Sequence, residues 1–237
     1  DSGLACRLLE EAIRLEELEG GRDDYLTLFL YRQVQDLVEL GDLAKAEARL
    51  AAARRLTAER DTGRYPDRLQ YPSIELAAAT LHEARGERAA ARAAAERAPD
   101  GRLCREVLCR LALEEGDVAA AERHLTRLTS LRGYGFSTRV RLHERVMQQV
   151  LTGEVARARR HQAAAAGDPA AEERARAAAL TALDAALEGA ARWVFQPLAL
   201  EAFVAVRALD PALCGAAALA LAATHPAALR RVCRRAA

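Results

Sequence analysis

Two dipeptides, His82-Glu83 and His143-Glu144, open like the H-E-x-x-H of a zinc protease, where two histidines one helical turn apart hold the metal and the glutamate activates water. Gly86 and Met147 stand where the second histidine belongs, so neither stretch predicts a metal site. Gly133-Tyr134-Gly135-Phe136-Ser137-Thr138 starts like a dinucleotide loop but lacks the third glycine and a preceding strand, and reads as a loop between helices. The five cysteines, Cys6, Cys104, Cys109, Cys214 and Cys233, are odd in number, scattered, and form no C-x-x-C. None shares a local motif with a histidine, which predicts small buried hydrophobes in a reducing cytoplasm rather than disulfides, zinc ligands or an activated thiol. Glu114-Glu115 abuts a helix end and reads as surface charge. Lys45 is the only lysine, so no G-x-x-x-x-G-K-[ST] phosphate loop can exist. The residue types point away from catalysis: no enzyme, no metal and no cofactor are expected.

Composition narrows the class further. The 237 residues include 56 alanines and only 4% aromatics, an apolar content of small side chains that suits close helix–helix contact better than a β-sandwich. Asparagine is absent and arginine replaces lysine almost throughout, a pattern that fits GC-rich coding. Basic and acidic residues number 35 and 34, so no global field draws nucleic acid or an anionic membrane. Arg230, Arg231, Arg234 and Arg235 read as cations at the C-terminal end of a last helix. Pro211–Leu229 is the longest uncharged stretch, but its alanine content and His225-Pro226 predict a buried helix, not a bilayer span. No signal peptide is visible at the start, and the expected location is cytoplasmic. The chain opens at Asp1 and its one methionine is Met147, which suits either a piece of a longer protein or a missing start residue.

What must position any site is a repeat. Leu40-Gly41-Asp42-Leu43-Ala44-Lys45-Ala46-Glu47-Ala48-Arg49-Leu50 sets out a skeleton: a helix, a Gly-acid corner, then alternating small and larger apolar residues on one helix face. It returns at Gly116-Asp117-Val118 and, more weakly, at Gly86-Glu87-Arg88 and Gly153-Glu154-Val155. Glycine can end a helix in the left-handed conformation, and the acid then sits where the next helix exposes its N–H groups. Ala46, Ala91, Ala121 and Ala158 are expected where paired helices approach most closely, with Leu50 and Leu125 plugging the contact. Helices are predicted before the four glycines, over Tyr25–Leu40, Ile74–Arg85, Arg102–Glu115 and Thr138–Thr152. An entering helix is expected over Gly3–Glu19. A proline-started helix is expected from Pro169 to about Leu187, and short helices at Pro197, Pro211 and Pro226. No segment alternates as a strand would.

This skeleton resembles the tetratricopeptide repeat, a helix-turn-helix unit of about 34 residues. Several copies lack the first-helix aromatic, the closing proline occurs only at Pro99, and Asp61–Tyr71 and Leu131–Phe136 lengthen the loops. The resemblance implies an all-α solenoid of antiparallel helix pairs in a right-handed superhelix, one continuous domain over 1–237. Within it, 1–24 is the entering helix, 25–167 the repeats, and 168–237 the last helices and cap. It also implies a concave wall built by the first helix of each repeat. Carried over, that wall holds Tyr31 and Gln35, then Thr80 and Glu83, then Glu106 and Arg110, then His143 and Met147.

The stretch from Arg176 to Leu198, with Arg192, Phe195 and Pro197 at its end, resembles the last repeat of MalT-like, LuxR-type transcription activators. Thr224-His225-Pro226 followed by Leu229-Arg230-Arg231-Val232 is similar to their closing helix. Trp193 and Phe195 read as a hydrophobic plug between the repeats and the last helices, with a ligand-stacking pair as the alternative. The resemblance implies a larger chain with an NTPase domain and a DNA-binding helix-turn-helix, of which these residues are the repeat domain. Its expected role is a non-catalytic sensor of a protein partner or small-molecule effector on the concave face, without direct nucleic-acid or membrane contact, and with homo-oligomers possible. A free-standing scaffold that binds a peptide or protein partner is the alternative.

Overall fold

A computed structural model of the chain describes residues 2–18, 23–58, 74–98, 100–131, 138–193 and 196–209. These residues are almost wholly α-helical, with no strand among them, as the alanine-rich 3.6-residue periodicity predicts. The helices belong to two compact units, Asp1–Asp100 and Gly101–Ala237. In the first, α1 (Ser2–Leu18) packs on α2 (Asp23–Leu40), which pairs with α3 (Leu43–Ala58). Helix α4 (Ile74–Arg85) lies against both α2 and α3 and pairs with α5 (Arg88–Arg97). In the second, α6 (Arg102–Glu114) pairs with α7 (Val118–Ser130), and α8 (Thr138–Ala165) packs on both. Helix α8 pairs with α9 (Pro169–Trp193), and α10 (Gln196–Leu209) rests on that pair.

Three of the predicted corners, and one more, share a single geometry. Gly41, Gly86, Gly116 and Gly167 have φ of 84°, 77°, 76° and 70°, the left-handed region that a side chain resists. At each, the glycine N–H donates to the carbonyl three residues back, and the following acid's N–H to the carbonyl five back: Gly41 to Val38 and Asp42 to Leu37, for example, at 3.1 and 2.9 Å. This pair of hydrogen bonds satisfies carbonyls that a helix end would otherwise leave bare. The acid then starts the next helix. Asp42, Asp117 and Asp168 each accept from the N–H three residues on, at 3.1, 2.9 and 2.9 Å. Glu87 makes no such cap, being one methylene longer, and instead meets His82 Nδ1 at 2.5 Å. Asp117→Ala should therefore cost the second unit about 1 kcal/mol in urea denaturation. Glu87→Ala, which removes only an exposed ion pair, should cost the first unit less than about 0.5 kcal/mol.

The small residues past the corners do what close approach requires. Ala46, Ala91 and Ala121 are fully buried, and Leu50 is buried one turn on. Leu30, Val34, Leu37 and Val38 of α2 supply the facing apolar stripe in the first unit.

The fourth predicted corner is not a corner. Gly153 lies inside α8, which runs on to Ala165, so the helix expected to end at Thr152 does not stop there. The turn falls at Gly167-Asp168, where proline at the first helical position helps set the next helix. Gly153 serves packing instead: a Cβ there would stand 2.5 Å from Leu183 Cγ of α9. Gly189 of α9 does the same for Val146 of α8, with a Cβ 2.8 Å from its Cγ2. The two glycines let α8 and α9, the longest of the described helices, lie close enough for each to seat the other's branched side chain. Nearer the turn, α8 and α9 are mostly exposed, and Arg160 meets Glu172 across the hairpin at 3.1 Å. Ala158 is only half-buried, at the margin of the second unit's core. Helix α9 continues past the expected Leu187 to Trp193, and α10 opens at Gln196-Pro197 as predicted.

Several expectations concern residues outside those described: the loops at 61–71 and 132–137, Pro99, Phe195, Cys214, Cys233, the helices at Pro211 and Pro226, and the terminal arginines. The side chains of Arg192, Trp193 and Pro197 are likewise outside. Among the described residues no helix is long and apolar enough to cross a membrane.

Candidate functional site

The second unit gathers three of the expected site residues into one cluster. Arg102, Glu106 and Arg110 recur every fourth residue along α6, so they share a face. Arg110, with a side chain only 5% exposed, reaches three helices. Its Nη1 binds Glu106 Oε1 of its own helix at 2.8 Å, its Nη2 donates to Met147 Sδ of α8 at 3.0 Å, and Nη2 faces Glu201 Oε2 of α10 at 3.6 Å. Glu201 is 1% exposed, so this is a charge cluster within the core, not on its rim. Arg102 repeats the theme two turns earlier. Its Nη1 donates to the carbonyls of Leu128 and Leu131 at 3.0 and 3.1 Å, and its Nε lies 3.6 Å from Glu144 Oε2 of α8. It thus ties down the end of α7, whose last carbonyls no helical turn can satisfy.

A guanidinium neither gives up its proton nor attacks a substrate, and here its charge is balanced by buried carboxylates. What such a cluster does is fix the relative placement of α6, α8 and α10. Glu201 was missed from sequence because α10 reads there as an apolar helix opening, and one acid within it resembles a solvated position. His143, one helical turn before Met147 on the same helix, is exposed.

The first unit places its four expected residues less openly than a binding wall requires. Tyr31 and Glu83 are buried, Gln35 and Thr80 half-buried. Thr80 Oγ1 donates to Leu76 O at 3.0 Å, so its hydroxyl serves its own helix, and Gln35 Oε1 accepts from Arg32 Nη1 at 3.4 Å. Glu83 Oε1 has no hydrogen-bond partner among the described residues. Beside them Gln33, fully buried, donates to Cys6 Sγ at 3.8 Å across α1 and α2, and burial pushes that thiol's pKa up. Cys109 donates to Ala121 O at 3.4 Å, so both cysteines behave as packed, weakly polar groups. No group of three or more His, Cys, Asp or Glu among the described residues is arranged to hold a metal ion.

Asp36, one residue past Gln35, has its carboxyl pushed up to about 6 by burial, with Arg32 opposing and Glu39 adding to the rise. An acid held above its unfolded value binds its proton more tightly when folded. Stability from this source is present below about pH 4 and lost as pH rises toward 6. Asp36→Asn should then raise the first unit's stability by about 1–3 kcal/mol near neutral pH and change little near pH 4, read from urea melts at both.

No protein-family model matches the chain, and no curated protein or solved structure is significantly similar to it.

Proposed function

We propose that the chain is a non-catalytic, tetratricopeptide-like repeat domain that receives a protein partner or small effector for a larger bacterial transcription activator of the MalT-like, LuxR-type class. The observation that supports this most is the recurrence of one corner, with the same pair of backbone hydrogen bonds, at Gly41, Gly86, Gly116 and Gly167. Within each unit the first helix of a later hairpin also packs on both helices of the earlier one: α4 on α2 and α3, α8 on α6 and α7. Both features belong to stacked hairpins, whose usual work is recognition along a surface made of successive first helices. In this reading α6, α8 and α10 form such a surface in the second unit, and α2 and α4 in the first.

The buried cluster refines how the domain would work. Glu106, Arg110 and Met147 hold helices together and so act as a lever under the surface, while Gln35, Thr80 and His143 are the groups a partner reaches. A ligand that favours one spacing of α6, α8 and α10 over another would act through Arg110. The reading is tested in two steps. The genomic reading frame is expected to continue upstream into a phosphate loop and downstream into a helix-turn-helix. A frame closed around these 237 residues favours the free-standing scaffold instead. A thermal-shift screen of the chain against a metabolite panel and a peptide library should then find a stabilising ligand whose effect His143→Ala weakens. A ligand indifferent to His143, Gln35 and Thr80 removes these residues from the site.

A further inference from the structure

Helix α1 has two apolar faces and uses one. Cys6 and Ile13 are buried toward α2, Ile13 in a cluster with Leu30 and Ala53. On the opposite face Leu4, Leu8, Leu15 and Leu18 are 48%, 62%, 46% and 71% exposed. With Glu11 between them they step along the helix by alternating fours and threes, the spacing of a coiled-coil seam. Scattered surface leucines need no explanation, but a seam in register does.

We propose that this seam joins two copies of the chain, paired antiparallel through α1. The spacing carries the choice of occupant, because it reads nearly the same in both directions about Glu11. Reversal sets Leu4 over Leu18 of the second copy and Leu8 over Leu15. Charge carries it too. Glu11 accepts from Arg14 Nη2 and Nε at 2.6 and 3.0 Å, and both side chains are more than half exposed. Around the two-fold axis, Arg14 of each copy lies within one turn of Glu11 of the other. The four groups then close a ring of alternating sign. A lipid surface would have to bury Glu11 in the middle of the seam without a cation from a facing chain, and a wholly apolar partner would strand the Glu11–Arg14 pair. The contact is one helix long, small beside the roughly 1,600 Å² of a standard interface, so assembly depends on concentration.

Sedimentation velocity on the full chain from about 5 to about 200 µM should show the mass rising from 25.7 kDa toward twice that value. Leu8→Glu with Leu15→Glu should hold it at the monomer mass while far-UV circular dichroism and the melting temperature stay unchanged, since neither leucine is buried. Glu11→Arg and Arg14→Glu should each weaken self-association several-fold, and an equimolar mixture of the two variants should restore it. A chain that stays monomeric throughout, a dimer that survives the double glutamate variant, or a mixture that fails to recover would each overturn the proposal. A monomer that instead binds liposomes of anionic lipid through the same leucines would assign the seam to a membrane surface.

Discussion

Gly153→Ala is expected to destabilise the second unit by about 2 kcal/mol, although alanine is the better helix former by about 0.5–1 kcal/mol. The added methyl would lie 2.5 Å from Leu183 Cγ and 2.6 Å from its Cδ2. Leu183 is fully buried among Val150, Leu151 and Ala186, and Cγ is one bond from its Cβ, so it cannot swing aside as the tip of a long side chain could. Either α8 and α9 separate, or Leu183 leaves its rotamer. The cause can be isolated in a double-mutant cycle. Leu183→Ala alone opens a cavity and should cost about 2–5 kcal/mol, but on that background Gly153→Ala should become neutral or favourable.

Gly116→Ala offers the contrast. Nothing lies within 4 Å of a Cβ at Gly116, yet its φ of 76° is left-handed, so the cost there is backbone strain of about 1 kcal/mol that no neighbouring truncation relieves. Urea denaturation of the three variants separates the two uses of glycine. If Gly153→Ala stabilised the protein by its helix propensity alone, the close approach of α8 and α9 would be refuted.

That same pair of glycines shows where sequence reading succeeds and where it stops. Gly41, Gly86 and Gly116 were legible as corners because the requirement is local: a left-handed residue, then an acid over bare N–H groups. Gly153-Glu154-Val155 has the same local letters, but its glycine answers a partner thirty residues away, and nothing nearby distinguishes the two roles. The corner that α8 and α9 do use, Gly167-Asp168-Pro169, carries the same letters with a proline added at the first helical position. The candidate site divides in the same manner. The tetratricopeptide resemblance placed Glu106, Arg110 and Met147 on neighbouring first helices, and the structure brings them together. Their burial was not legible, because an arginine at that spacing looks the same whether it meets water or Glu201. The acid that completes the cluster lies ninety-one residues further along the chain, and only tertiary packing reveals it.

Arg110→Met should be the most damaging single change in the second unit, at about 3–5 kcal/mol. Methionine has a similar length and fills much of the space, so lost packing is a minor part of the effect. The larger part is Glu201, left 1% exposed with its guanidinium gone. Burial without that cation favours the protonated acid, which raises the folded-state pKa of Glu201 in the variant above its unfolded value. The sign of the pH dependence follows: stability is retained at low pH and lost as pH rises through the raised value. Urea melts of Arg110→Met should therefore recover toward the parent chain between about pH 7 and pH 5, and the parent minus variant difference should shrink as acid is added. Adding Glu201→Gln to Arg110→Met should abolish most of that pH dependence and return part of the stability, whereas Glu201→Gln alone leaves Arg110 with Glu106 and should cost less. Arg110→Lys keeps the charge but cannot reach Glu106, Met147 and Glu201 in three directions at once, and should fall between parent and Arg110→Met. A variant whose loss is the same at both pH values would show that Arg110 contributes by filling space, and the proposed lever between α6, α8 and α10 would have no charge to act through.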